Sequence, residues 1–245
     1  MTRTRVAVTG DGRVELDGDV VRARRLPDED GRTRIALVAS QALLLAGDDV
    51  RIEVEVGPGR ALEVVEVSGT VAYDMRGGAA TWTVDVRVAR DGVLVWPGLP
   101  FVVADGADVE RRTRVDLAPG ARAVLRETLV LGRTGEAGGR VRTTTDARLA
   151  GRPLLVETFV VEPATVRDPA LLGGARCLDT VLVLGARLDH PDALQLDGEG
   201  TLVRGLSAHA HAADLGDVVQ AAVAGLSGVA PSAVAVPARV TAPLT

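Results

Sequence analysis

The sequence contains no lysine, one cysteine and few aromatic residues, and each shortage removes a class of function. Apart from three histidines, every basic side chain is an arginine, which excludes Schiff-base chemistry and a lysine-dependent phosphate loop. A lone Cys177 excludes an internal disulfide and a metal site made of cysteines alone. Only two Phe, two Trp and one Tyr occur in 245 residues, so the chain lacks the aromatic faces that usually stack on bases or sugars.

The charge of the chain is acidic and dispersed. A formal net charge of −5 argues against a general nucleic-acid-binding protein, for which a basic stripe is the first requirement. The first twelve residues lack the apolar core of a signal peptide, and no window of the sequence approaches the length of a membrane span. We therefore expect a cytoplasmic protein that binds neither nucleic acid nor a membrane.

Short runs of alternating polar and apolar residues recur through the first 165 residues and predict β-strands. Val50–Val56 and Thr81–Ala89 alternate most cleanly, with Val, Ile or Trp on one face and mostly charged or polar residues on the other. A further strand is predicted over Ala61–Tyr73. Asp-Gly and Gly-Gly pairs between the runs indicate tight turns. We predict a mainly β fold of irregular stacked antiparallel sheets, without a regular sequence repeat.

The pattern changes in the C-terminal part of the chain. Asp168-Pro169 predicts the start of a short helix, because proline is favoured at the first helical position. Between Leu215 and Leu226, apolar residues recur at the spacing of one helix face, and Gly228 is the expected end of this amphipathic helix. The tail from Val229 predicts an edge strand or an ordered arm. We treat residues 1–245 as one domain, with a β-rich body over about 1–165 and one or two short helices in the mixed part over about 166–245.

Conventional catalytic motifs are absent from the sequence: it has no GxSxG elbow, no HExxH and no GxGxxG that opens a helix. The apolar neighbours of Cys177 favour a buried structural thiol. One alternative is a metal-dependent, cupin-like β-fold enzyme that uses His209 and His211. On a strand these two imidazoles would share a face and could hold one transition metal, although a cupin needs a further histidine. The other interpretation of the pair is a polar strand end or loop before the C-terminal helix.

Acidic residues within otherwise apolar strands are the stronger candidates for a site. Glu66, Asp105 and Glu127 each lie in such a context, and Glu157 and Glu162 follow the same pattern less clearly. A carboxylate near a buried face is costly unless it is paired or binds a cation. Two interpretations stay open: each acid has an arginine partner, or the acids line a hydrated path for a divalent cation. Oxygen ligands hold Ni²⁺ more weakly than His or Cys do, which suits transfer. A glycosidase carboxylate pair is a third reading, which the shortage of aromatic residues disfavours.

Three segments resemble the urease accessory protein family UreD, also called UreH. They are T-R-V-D-L-A-P-G over Thr113–Gly120, L-V-L-G-R-T-G-E over Leu129–Glu136, and L-L-V-E-T-F over Leu154–Phe159. The resemblance extends over roughly residues 43–159. It implies an all-β fold of stacked, helix-like sheets with a couple of α-helices, in agreement with the strand pattern.

The resemblance also implies a function without catalysis. A member of this family would bind the accessory protein UreF, recruit the GTPase UreG through it, and dock on the urease apoenzyme. Nickel in transit would then pass through a water-filled tunnel to the urease active site, with no organic cofactor. Glu66, Asp105 and Glu127 fall near family segments associated with that path, and we assign them to it as a prediction.

Overall fold

The computed structural model describes residues 1–226, in which strands predominate. The first nine strands are β1 (Thr2–Val8), β2 (Val14–Gly18), β3 (Val21–Glu29), β4 (Arg32–Ala39), β5 (Asp49–Val56), β6 (Ala61–Glu66), β7 (Thr70–Ala72), β8 (Ala80–Val88) and β9 (Val93–Pro97). They are followed by β10 (Phe101–Val103), β11 (Asp108–Leu117), β12 (Arg122–Leu131), β13 (Arg140–Leu149), β14 (Arg152–Val161), β15 (Cys177–Leu184), β16 (Ala193–Gln195) and β17 (Gly200–Ser207). A helix α1 spans Gly216–Leu226. The mainly β class is confirmed.

The strands form two sheets that lie face to face. The first sheet has seven strands in the order β14-β13-β11-β8-β5-β1-β2, and the second has ten, with β16-β17-β15-β12-β9-β6-β4-β3 as its main path. From β5 to β13 the chain passes back and forth between the sheets. As a result β8, β11 and β13 are added in turn beside β5 in the first sheet, and β9 and β12 beside β6 in the second, while the short strands β7 and β10 pair off this path. The stacked-sheet prediction is therefore confirmed.

The direction of strand pairing differs from the antiparallel expectation. The central pairs of both sheets are parallel, as in β5 with β8 and β6 with β9, and antiparallel pairs are found toward the sheet edges. The reason lies in the turns. Asp91 and Gly120 both have positive φ in tight turns that carry the chain from one sheet to the other rather than back along the same sheet. A turn sequence specifies a reversal of the chain but not the strand with which the next segment pairs.

Two other local predictions are corrected. The strand expected over Ala61–Tyr73 is broken into β6 and β7, and a Cβ atom on Gly69 in the gap would lie 2.6 Å from the carbonyl oxygen of Pro100. Only a residue without a side chain permits this approach. The helix expected from Asp168-Pro169 is a series of turns, because the backbone N–H groups of Leu171 and Gly173 both bond back to the Asp168 carbonyl and the chain then reverses.

The main core lies between the two sheets and is built from Val, Leu, Ile and Ala. Val50, Ile52, Val54 and Val56 are all buried in it, which confirms the predicted alternation of β5. Burial of such apolar area, at roughly 25 cal/mol per Å², is the main stabilising contribution of a fold this poor in aromatic residues.

A second, smaller core lies on the outer face of the second sheet. Val218, Val219, Ala222 and Leu226 of α1 pack there on valines of β9, β12, β15 and β17. The predicted amphipathic helix is thus confirmed, and its apolar stripe is packed on the sheet. The predicted helix end at Gly228 and the tail lie outside the described residues. No helix among residues 1–226 combines the length and the apolar character needed to cross a membrane.

Candidate functional site

A row of polar side chains crosses the main core between the two sheets. Each member stands on the inward face of its strand, where the pattern of alternation would otherwise place an apolar residue. We call this row the seam; it consists of Glu66 on β6, Arg111 and Thr113 on β11, Glu127 on β12, Glu157 on β14 and Arg204 on β17. Burying polar groups at such positions costs free energy unless they have hydrogen-bonding or charged partners. The partners of each seam residue therefore show which of them are free to bind a ligand.

Glu66 stands at the end of β6 and has no arginine partner among the described residues. Its Oε1 accepts a hydrogen bond from the indole Nε1 of Trp96 at 2.9 Å, and its Oε2 accepts one from the backbone N–H of Leu99 at 2.8 Å. Burial raises the pKa of Glu66, and these two hydrogen bonds, together with the positive charge of Arg111, only partly offset the effect. Glu66 is therefore a positioned carboxylate without a counter-ion in contact.

Glu127 is held by partners from the facing sheet. Nη2 of Arg111 lies 2.9 Å from its Oε1, and the hydroxyl of Thr113 donates to the same oxygen at 2.7 Å. The Arg111 guanidinium also lies over the ring of Phe101, 5.3 Å from its centroid. Its Nε is buried without a hydrogen-bond partner. For Glu127, the interpretation of an arginine-paired acid is confirmed.

Glu157 and Arg204 form a second ion pair that joins the two sheets. Nη1 of Arg204 donates to Oε1 of Glu157 at 2.9 Å, and Nη2 contacts the other carboxylate oxygen. Both side chains are about 30% exposed, so this end of the seam meets solvent. The sequence indicated Glu157 only weakly and gave no sign of Arg204, because this pairing exists only once the two sheets are stacked. Glu162, the other weak candidate, lies nearer the surface, with a carboxylate oxygen 3.9 Å from Nε of Arg140.

Three cavities with shared walls follow the seam. The wide cavity, of about 260 Å³, is bordered by exposed residues such as Gln41 and Ser68 and ends at Glu66. The middle cavity, of about 30 Å³, shares the Glu66 wall and reaches Arg111 and Glu127. The far cavity, of about 20 Å³, lies beyond that ion pair and is lined by the following polar residues: Thr143, Thr145, Thr180, Glu157 and Arg204. Since a water molecule needs roughly 10–15 Å³, each of the two small cavities has room for one or two.

Asp105, the third predicted acid, lies in a different place. It stands in the turn between β10 and β11, where its Oδ1 accepts a hydrogen bond from the backbone N–H of Gly138 at 2.7 Å. It borders none of the three cavities of the seam. Nearby, Glu136 is held mainly by hydrogen bonds from the Arg133 side chain and backbone, which lower its pKa to about 2. The structure thus brings Glu66 and Glu127 together and leaves Asp105 in a turn.

His209 and His211 lie in a short 3₁₀ turn after the end of β17, not on a strand. The interpretation of the pair as a loop before the helix is therefore correct. Their rings are stacked, with centroids 5.6 Å apart and planes 8° from parallel. Residues 1–226 contain no group of three or more His, Cys, Asp or Glu side chains placed to hold a metal ion, so the third ligand of a cupin-like site is not found there. Cys177 is a buried free thiol, as predicted, and burial raises its pKa.

A buried acid that sequence reasoning missed anchors the segment before α1 to the outer face of the second sheet. Asp179 on β15 is fully buried and accepts hydrogen bonds from Arg126, Thr128 and the backbone N–H of Leu215. Arg126 also contacts Asp214, directly before α1. Arg126 and Glu127 are neighbours on β12 that point to opposite faces, one toward α1 and one into the seam. The available signal was an Asp in the otherwise apolar strand sequence of β15.

Comparison with known proteins identifies the family. Residues 20–241 match the family model for the UreD urease accessory protein. The chain is 51% identical over 185 residues to urease accessory protein UreD 1 of Streptomyces griseus, covering 74% of this chain and 72% of that protein. It is 39% identical over 202 residues to UreD of Frankia alni, covering 71% and 68% respectively, and 33% identical over 207 residues to UreD of Streptomyces avermitilis, covering 80% and 82%. The chain belongs to the UreD family of urease accessory proteins.

Proposed function

We propose that this chain is a non-catalytic scaffold of urease maturation that conducts Ni²⁺ along the seam to the urease apoenzyme. It binds UreF, and through UreF the GTPase UreG, and it docks on apo-urease. It works in the cytoplasm, without nucleic acid or membrane. Membership of the family supports the role in urease maturation; the partners and the passage of nickel are the proposed part.

The observation that carries the proposal is the position of Glu66 between the wide and the middle cavity. Its two oxygens are oriented by Trp96 and Leu99 but carry no guanidinium, so they are available to a cation that enters from the wide cavity. Carboxylate oxygens bind Ni²⁺ less tightly than imidazole or thiolate does. A ligand of this kind can accept the ion and release it again.

The charges of the seam favour a cation over an anion. Three carboxylates face two guanidiniums along the row, and Glu66 is the one left without a partner. Beyond it, the hydroxyl groups of Thr113, Thr143 and Thr145 supply neutral oxygen ligands. Because the middle and far cavities have room for only one or two water molecules each, the ion must leave most of its hydration shell and exchange it for these oxygens.

The ion pair of Arg111 and Glu127 stands where the middle and far cavities meet. An ion that passes this point has to compete with the guanidinium for Glu127. If Arg111 releases Glu127, its guanidinium still keeps the contact with the Phe101 ring. In the proposed function, Arg111 thus fills the passage when no ion is present and yields Glu127 when one arrives.

The test uses Glu66→Gln, which keeps the shape of the side chain and removes its charge. Purified chain is combined with UreF, UreG and apo-urease, supplied with Ni²⁺ and GTP, and urease activity is measured alongside complex formation. We expect at least a tenfold slower activation with the complex intact. Glu110→Gln is the matched control, because Glu110 stands next to Arg111 on β11 but on the outer face of the sheet. Wild-type activation by the Glu66 variant would disprove the passage, and failure of the wild-type chain to bind UreF or apo-urease would disprove the scaffold.

A further inference from the structure

The turn that joins β17 to α1 displays two histidines side by side on the surface. Both side chains are exposed, and neither ring makes a hydrogen bond to another group among the described residues. The third histidine of the chain differs, since Nδ1 of His190 accepts a hydrogen bond from the backbone N–H of Asp192 at 3.2 Å. The ring nitrogens of His209 and His211 are therefore available to a ligand from solvent.

The separation of the two rings fits a shared metal ion. Imidazole nitrogens bind transition metals at about 2.0–2.1 Å. When two rings share one ion, the distance between their centroids exceeds one such bond by a few ångströms. The observed separation of 5.6 Å is of this size. Because imidazole lone pairs lie in the ring plane, the nearly parallel rings have to turn so that one nitrogen of each points to the same ion. Exposure leaves that rotation free.

We propose that His209 and His211 form a surface site for Ni²⁺ or a similar borderline divalent cation, with water in the remaining coordination positions. Imidazole is the preferred neutral ligand for such ions. Because no third protein ligand is placed nearby in residues 1–226, the ion is held loosely and can exchange. The site is thus a holding position and not the centre of an enzyme.

Its place in the fold gives the site a role, which rests on the proposed function. β17 carries Arg204 of the seam and ends at Ser207, only three residues farther along. Three residues of extended strand span roughly 10 Å. The two histidines follow two and four residues beyond Ser207, and Ala213 at the end of their turn packs on the outer face of the second sheet against Gly205. The pair can therefore hold an ion outside the passage, before it enters or after it leaves.

The experiment is calorimetric titration of the full chain with NiCl₂ at a fixed, near-neutral pH. The variants are His209→Ala, His211→Ala and the double variant, with His190→Ala as the matched control. We expect each single change to weaken one Ni²⁺-binding event at least tenfold, the double change to abolish it, and the control to leave it unchanged. Since both side chains are exposed, circular dichroism should show a wild-type fold for all variants.

The same titration is carried out with Glu66→Gln, which separates this site from the passage. Retention of the histidine-dependent event in that variant supports an independent surface site. Unchanged Ni²⁺ binding by the double histidine variant overturns the site, whatever the chain does for urease. Loss of complex formation with UreF or apo-urease, measured separately, instead overturns the proposed function and leaves the metal site standing.

Discussion

Arg111 and Glu127 meet in the space between the two sheets, where Nη2 of the arginine lies 2.9 Å from Oε1 of the glutamate. Each comes from a different sheet, and the exposed fractions of the two side chains are only 13% and 20%. The pair therefore joins the sheets and also separates the middle cavity from the far cavity. One contact contributes both to stability and to the proposed passage, and the two contributions can be measured separately.

The stability contribution is accessible through a double-mutant cycle. Arg111→Met leaves Glu127 buried without its counter-ion and should lower the free energy of unfolding by about 2 kcal/mol. Adding Glu127→Gln should restore part of that loss, because an uncharged amide needs no counter-ion. Urea denaturation of the two single variants and the double variant gives the coupling energy, which we expect on the order of 1–3 kcal/mol. Simple additivity of the two changes would contradict this account of the pair.

Asp179 should be the most sensitive acidic residue of the second core. It is fully buried and binds Arg126 through both oxygens, so Asp179→Ala leaves the guanidinium with only the exposed Asp214 and leaves the Leu215 N–H without its acceptor. We expect a loss of about 3–5 kcal/mol in the free energy of unfolding and faster amide hydrogen exchange in α1. The control is Asp214→Ala: Asp214 binds the same arginine but is 56% exposed, and it also accepts the Gly216 N–H at the start of α1, so its loss should cost only about 1 kcal/mol. Equal losses in the two variants would refute the anchoring role of Asp179.

The pH dependence of stability should report on Glu66. Burial raises the pKa of this carboxyl in the folded chain, so between the unfolded and folded pKa values the folded chain holds a proton that the unfolded chain has released. The stability of the wild type relative to Glu66→Gln is therefore greatest below the unfolded pKa of about 4.3 and falls as pH rises through the folded value. Chemical denaturation of both proteins at pH 4 and pH 7 measures the difference. A wild type that gains relative stability between these pH values would contradict the sign.

Much of the fold was predictable because strand alternation and helix spacing are local patterns. The buried face of β5 and the apolar stripe of α1 were both evident from the sequence. The pairing of strands is not a local property. The turn at Asp91 shows that the chain bends, but the sheet in which the next strand pairs depends on how all the strands pack together. The same limit applies to the site. The sequence predicted Glu66 and Glu127 as unusual acids, but only the stacking of the sheets shows that Arg111 and Arg204 face this row.

A change of shape without a change of charge tests the passage independently of the acids. Thr145 lines the far cavity on the inward face of β13, and Thr145→Leu adds a methyl-sized group to a space with room for one or two water molecules. We expect urease activation to slow at least fivefold, with complexes intact and a stability loss of about 1–3 kcal/mol from overpacking. Thr144→Leu is the matched control, because the neighbouring side chain points outward and contacts Thr158. Activation is measured for both variants at equal amounts of folded complex. If the inward and outward substitutions slow activation equally, nickel does not travel through the space between the sheets.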